Sequence, residues 1–391
     1  MTGGAVSWAR ARELAASCAA PVEPAGVPLA RALGAVLAAD ACARSDLPEA
    51  DTSAMDGWAV AGPPPWSVVG EVLAGSVPPP LVTGRATAVA TGAVVPAGAA
   101  GVLRREDGDL RRHQGGEDGE DGDVLVPHGP WAPGGHVRRA GAECRRGDVV
   151  LPAGARIGPA ALGLLAAAGL DGVLVRRPTV DLLVLGDELL DAGPARAGQL
   201  RDALGPLLSA WLPALGLMLT SRRRVPDRAG PLALALRGCL ADVVVTTGST
   251  AHGPVDHLHR VLADAGARPV VDGVDVRPGH PQLLAPLADG RPLVGLPGNP
   301  LAAVSGVLTL LEPLARTLAG LAPPPLPRHG TLVEDVAAGD TATRLVPVRD
   351  GRPVLFAGPA MLRGLATADA VAVIPPGGAR AGTPVNLLPI P

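Results

Sequence analysis

The chain has 391 residues, too many for one ordinary domain, and its 47% hydrophobic content is ample for two to four buried cores. A formal net charge of −3 does not suggest nucleic-acid or membrane-surface binding, and with no lysine every fixed side-chain cation is arginine. Four scattered cysteines (Cys18, Cys42, Cys144, Cys239) form no CxxC pair and argue against a zinc site or a disulfide scaffold.

Val6 to Ala43 reads as helical in two pieces, "SWARARELAASC" and "PLARALGAVLAADA", around a proline-rich break. Arg10, Arg12 and Glu13 stand where a signal peptide needs an apolar core, and no run of about 20 apolar residues reads as a membrane span. A soluble, cytoplasmic protein is the expectation. "DLPEADTSAMDGWAV" is extended, and short Val-rich pieces from Trp66 to Pro130 alternate with Pro and Gly as in a small β domain. The charged stretch from Arg105 to Asp123 reads as a solvated loop or hairpin tip. From Ala153, "AGARIGPAALGLLAAAGLDGVLV" turns helical again.

At Pro178 the pattern changes to buried strands followed by helices of about 10–15 residues, which predicts a parallel sheet with helices on both faces. Ligands of such sheets bind at the carboxyl ends of the strands, so "LGDEL", "TTGSTAHGPVD" and "LPGNP" are expected to converge. In the second turn, Thr247, Gly248 and Gly253 let backbone N–H groups face an oxyanion, though without the dinucleotide or P-loop spacing. Asp256 opens the next helix either as a first-turn acid or as a carboxylate aimed at a cation. Asp187 and Glu188 end a buried strand; Asp187 fits a cap, and the pair fits Mg²⁺ or general-base chemistry. Asp227, in "RVPD", adds a third strand-end acid. Pro297 and Pro300 fix φ around Gly298 and Asn299, giving a rigid turn suited to presenting groups to a ligand. After a proline-rich linker, alternating short strands predict a small C-terminal β domain.

With these turns in place the chain resembles the molybdopterin molybdenumtransferase family, bacterial MoeA and the gephyrin E domain, over essentially its whole length. The motifs are "DTSAMDGWA", "ATGAVVP", "RRAGAECRRGDVV", "LGDEL", "TGSTAHGPVD", "LPGNPLAA" and "PAMLRGLATADA". The resemblance implies an α/β multidomain fold. Residues 1–45 plus 136–177 would form a discontinuous helical and extended linker domain, and 46–135 a small β-rich domain. Residues 178–320 would form a three-layer αβα domain like the adenylyltransferase, and 326–391 a barrel-like β domain. It implies a homodimer with its cleft between subunits, and the molybdopterin adenylyltransferase as a partner. The implied reaction is Mg²⁺-dependent insertion of molybdate into adenylylated molybdopterin with release of AMP.

Carried over by motif, the catalytic set is Asp56, Thr91, Glu188, Asp227 and Asp256, with Glu188, Asp227 and Asp256 on the metal. The substrate-binding set is Asp187, Asp202, Thr247, Gly248, Ser249, Gly253, Arg277, His280, Pro297, Gly298, Asn299 and Pro300. The chain departs from the family pattern in the polar lining. Leu185 replaces a Thr, Ser249 a Gly, Ala203 an Asn and Glu143 an Asp, and "RPGHP" replaces a two-lysine motif with Arg277 and His280. Two alternatives remain at this level: a non-catalytic or altered paralogue that binds a pterin or a partner, and a different nucleotide-processing enzyme on the same α/β domain.

Overall fold

The computed structural model describes residues 5–113, 122–251, 253, 257–322 and 328–391. The chain divides into two compact units. The larger is Met1–Ala39, Ala153–Gly158 and Leu174–Pro391; the smaller is Asp40–Pro152 and Pro159–Val173.

In the larger unit, β1 (Val6–Ser7) leads into helix α1 (Trp8–Ser17), whose Ser7 cap accepts from the Arg10 N–H. After the second crossing from the smaller unit come β2 (Thr179–Leu185), α2 (Leu204–Ala214), β3 (Met218–Val225), α3 (Ala229–Arg237), β4 (Val243–Thr247) and α4 (Leu258–Asp264). Then follow β5 (Val271–Asp272), β6 (Val274–Arg277), β7 (Leu283–Pro286), β8 (Pro292–Leu296) and α5 (Pro300–Gly306). Six of these strands form one sheet in the order β3-β2-β4-β8-β7-β5; β3, β2, β4 and β8 are parallel, and β7 and β5 close the edge antiparallel.

The side-chain period of two sorts these strands between two cores. Val180, Leu182, Val184, Val243, Val245 and Val294 pack on one face with α1, α2 and the helix from Pro300. Leu183, Leu185, Val244 and Leu293 pack on the other with Leu232 and Leu236 of α3 and Leu258 and Leu262 of α4. Each fully buried leucine of this kind contributes roughly 1.5–3 kcal/mol. The strands are apolar on both faces because both faces are covered, and this sheet lies between two helical layers.

Pro300 sits at the first turn of α5, where its missing N–H costs nothing. The helix passes through a π turn (Val307–Leu311) into a last segment, Glu312–Leu318. Pro313 cannot donate to the carbonyl four residues back, and the widened turn absorbs its ring. Helix α1 docks on this turn: Trp8 Nε1 donates to Thr309 Oγ1 at 3.1 Å, and Arg12 pairs with Glu312 at 3.1 Å while also donating to the Leu308 carbonyl. Pro300–Leu318 is apolar and long enough to cross a membrane, but 83% of it is buried inside the fold, as in a core helix.

Three expectations change. Pro28 to Ala43 is not helical: it holds short strands at Val36–Leu37 and Ala41–Cys42 and one turn at Leu29–Arg31. Gly34 takes φ +81° and Val36 and Leu37 pair with Arg176 and Val175, so tertiary pairing overrides local helix preference. The helix expected from Ala153 covers Pro159–Ala167 alone, ending before Gly169 at φ +81°. The C-terminal strands β9 (Arg328–Thr331), β10 (Thr343–Arg349), β11 (Ala370–Ile374) and β12 (Pro384–Pro389) do not close into a separate barrel. Their sheet is open, in the order β1-β6-β10-β11-β12-β9, because β6 stands outside the αβα sheet and offers its edge to β10 and to β1.

The smaller unit is built on a six-stranded sheet. Gly57–Val60 pairs with both Arg85–Val89 and Gly101–Arg104, and Trp66–Val72 continues it to the hairpin Gly108–His113/Gly122–Pro127. Trp66 is fully buried and meets Trp131 edge to face at 5.5 Å. Residues 114–121, within the charged stretch, lie outside the described residues.

Candidate active site

At the carboxyl ends of β2, β4 and β8 the three expected turns line one cleft of about 640 Å³. Glu188 enters from the first, Thr247, Gly248 and Ser249 from the second, and Pro297 to Pro300 from the third. Asp227, after β3, and Asp202, before α2, complete the acidic lining.

Local backbone sets each of these groups. Gly186 has φ +143°, and a Cβ there would stand 3.0 Å from both Glu188 carboxylate oxygens, so the turn and the carboxylate need a glycine. Asp187 does not line the cleft; its Oδ1 accepts the Asp227 N–H at 3.3 Å and ties the first acidic turn to the second. Asp202 lines the cleft and also caps α2, accepting the Gly205 N–H at 2.8 Å. Gly248 and Ser249 are both left-handed, at φ +83° and +58°. Ser249 Oγ accepts the His257 N–H at 2.7 Å and bridges the turn to the start of α4. This bond is local compensation for the side chain that stands where the family pattern has glycine. Leu185 packs into the core beside α3 and α4, only 5% exposed, so the apolar residue there is accommodated by burial.

Asn299 caps α5 without a side-chain bond. The first amides of that helix, Leu301 and Ala302, both donate to the Pro359 carbonyl, at 2.9 and 3.3 Å. The turn carrying Pro359 also places Ala360 and Leu362 in the lining. These residues belong to the "PAMLRGLATADA" motif, which matched the family pattern without being assigned a place in the site. Arg201 and Pro281 are further lining residues not anticipated, although each adjoins an anticipated one, Asp202 and His280.

Arg277 and His280 do not line the cleft. Arg277 is exposed on β6, and His280 turns inward, its Nδ1 2.8 Å from the Val274 carbonyl and its ring against Gly273. Gly253 is described but not in the lining. Asp256, with His252, lies outside the described residues.

Asp56 and Thr91 belong to the smaller unit, where they form a pair. The Thr91 N–H and hydroxyl donate to Asp56 Oδ1 at 2.6 and 2.9 Å, and these two bonds hold the carboxyl below the ordinary aspartate range. Asp51 of the same motif is structural. It accepts the Ala140 N–H at 2.9 Å and the Arg139 guanidinium at 2.6 Å, and both lower its pKa.

The donors that Glu188 and Asp227 bring to the cleft are carboxylate oxygens, with no thiol or imidazole in the described lining. Among the described residues no three His, Cys, Asp or Glu form a metal cage. That donor set fits Mg²⁺, which binds through one or two carboxylates and fills its other positions with water and phosphate oxygens.

Two sequence profiles match the chain: the MoeA N-terminal region (domain I and II) over residues 6–169, and a probable molybdopterin-binding domain over 181–317. The chain is 30% identical to a molybdopterin molybdenumtransferase of Staphylococcus aureus, covering 82% of this chain and 78% of that one. It is 32% identical to a molybdopterin molybdenumtransferase of Nostoc sp., covering 76% and 70%. The fold is similar to a molybdopterin biosynthesis MoeA protein from Pyrococcus horikosii, with a TM-score of 0.72, 26% identity and 99% of both chains covered.

Proposed function

The chain belongs to the MoeA family of molybdopterin molybdenumtransferases and serves molybdenum cofactor biosynthesis, and from that premise we propose that it inserts molybdate into adenylylated molybdopterin with Mg²⁺, releasing AMP. One observation carries the reading: the ends of four neighbouring strands, β2, β3, β4 and β8, line a single cleft of about 640 Å³ that holds Glu188 and Asp227 and is large enough for a drug-sized ligand. Mg²⁺, held by Glu188 and Asp227, would neutralise charge on the phosphoanhydride. The remaining work falls to the protein. Rigid Pro297–Pro300 and the left-handed Gly248–Ser249 turn fix the walls, Asp202 secures the α2 end, and Leu362 and Pro297 add apolar lining.

The proposal includes the homodimer of the family, with the ionised Asp56 and its Thr91 partner serving the cleft of a second copy. It also includes delivery of substrate by the adenylyltransferase, and a cytoplasmic site of action. The assay is direct. Purified protein is incubated with adenylylated molybdopterin, molybdate and Mg²⁺, and AMP release and pterin-bound molybdenum are followed together. Both products appearing only with Mg²⁺ present is the expected result. Ligand binding without AMP release would instead favour a paralogue that binds the pterin without turning it over.

A further inference from the structure

We propose that Arg201 is the anion-recognising residue of this cleft, taking a phosphate-type oxyanion of the substrate through the free edge of its guanidinium. The inference rests on the insertase reading and identifies a residue that reading does not use.

Three observations lead to it. Arg201 is the sole cation in the described lining, whose other charged groups are Glu188, Asp202 and Asp227. A substrate bearing phosphates would enter an acidic cleft and needs a counter-charge from the protein beyond any bound cation. Second, the two cations expected to serve the substrate are elsewhere. Arg277 runs with β6 into the other sheet, where it pairs with Arg344 in register, and His280 is engaged with the Val274 carbonyl. Third, three of the backbone donors at these turns are already used. The Leu301 and Ala302 amides go to the Pro359 carbonyl, and the Gly248 amide goes to Leu296 at 2.8 Å.

Arg201 is also held in place. It lies in the short parallel pair Leu189–Leu190/Leu200–Arg201, and its Nη1 donates to the Leu190 carbonyl at 3.0 Å. No carboxylate among the described residues pairs with it. One fixed N–H orients the plane, and the other donors remain for a forked contact with tetrahedral oxyanion oxygens. Two sources share that chemistry, the phosphate of a nucleotide and molybdate itself.

Calorimetry on the full-length protein tests the inference with AMP and with molybdate as separate probes. Arg201→Gln should weaken at least one of them by about 10- to 100-fold. Loss in the AMP arm assigns the nucleotide phosphate, and loss in the molybdate arm assigns the metal oxyanion. Arg201→Lys should recover part of the loss, since it restores charge without the fork. The exposed Arg222, outside the lining, gives the control Arg222→Gln, with unchanged binding. In steady state the loss should fall mainly on KM rather than kcat, which a purely structural role would not produce, and thermal melting should match wild type. Wild-type affinity for both probes in Arg201→Gln would overturn the inference even if AMP release proceeds normally, as would failure of the wild type to bind either probe. Conversely, an Arg201-dependent affinity in a protein that never releases AMP would overturn the insertase reading and leave this one standing.

Discussion

Asp181 is a buried carboxylate with four donors around it. The Thr220 hydroxyl donates at 2.8 Å, the Leu240 and Ala241 amides at 3.0 and 3.2 Å, and the Ser221 hydroxyl is close as well. Burial pushes its pKa up, but the two hydroxyls and two amides together bring it below the ordinary value. Because the folded pKa is the lower one, the stabilisation is complete above the unfolded value of about 3.9 and is lost as pH falls through the folded value. Urea midpoints compared between about pH 6 and about pH 3 should drop more for wild type than for Asp181→Asn. At neutral pH Asp181→Ala should cost about 2 kcal/mol, since the buried Ala241 amide and the Leu240 amide both lose their acceptor. Ser249 gives a second contrast. Ser249→Ala keeps the left-handed backbone and loses the bond to His257, and should cost about 1 kcal/mol. Ser249→Gly also relieves about 1–2 kcal/mol of backbone cost, so its urea midpoint should stay close to wild type. The sequence pointed to this position because a side chain stands where the family has glycine. The compensating bond to an amide eight residues on was not legible.

The elements were readable where local pattern and tertiary demand agree. β2, β4 and β8 are apolar on both faces and end in turn residues, so both their burial and the meeting of their turns follow from the strand–turn–helix order. Pro28 to Ala43 misled because its alanines and leucines favour a helix while its partner strand lies more than a hundred residues away. Arg277 and His280 misled for two reasons: β6 pairs Arg277 into the C-terminal sheet, a pairing with no local signature, and the His280 ring is engaged with the Val274 carbonyl although the adjoining Pro281 lines the cleft. The docking of α1 is testable at this scale. Arg12 and Glu312 are 13% and 19% exposed, so Arg12→Met leaves a half-buried carboxylate and should cost about 3 kcal/mol. Adding Glu312→Leu should recover much of that, and a double-mutant cycle by chemical denaturation measures the coupling.

For the whole molecule, the fold class and family were carried by ordered motifs from Asp51 to Ala370, while the division into compact units was not visible as composition. Asp56 and Thr91 belong to the smaller unit, and Glu188 and Asp227 to the larger. If two copies share each site, Asp56→Asn and Glu188→Gln, each inactive alone, should restore about a quarter of wild-type AMP release when subunits are mixed at random. No restoration on proven mixing would place all the acids of a site in one chain.

The proposed turnover depends on the carboxylates of this cleft. Single-turnover AMP release from adenylylated molybdopterin, compared between wild type and Glu188→Gln, tests it most directly. Glu188 is exposed at a strand end, so the variant should fold and melt like wild type while its rate falls by about 100-fold or more. A folded Glu188→Gln protein releasing AMP at the wild-type rate would contradict it.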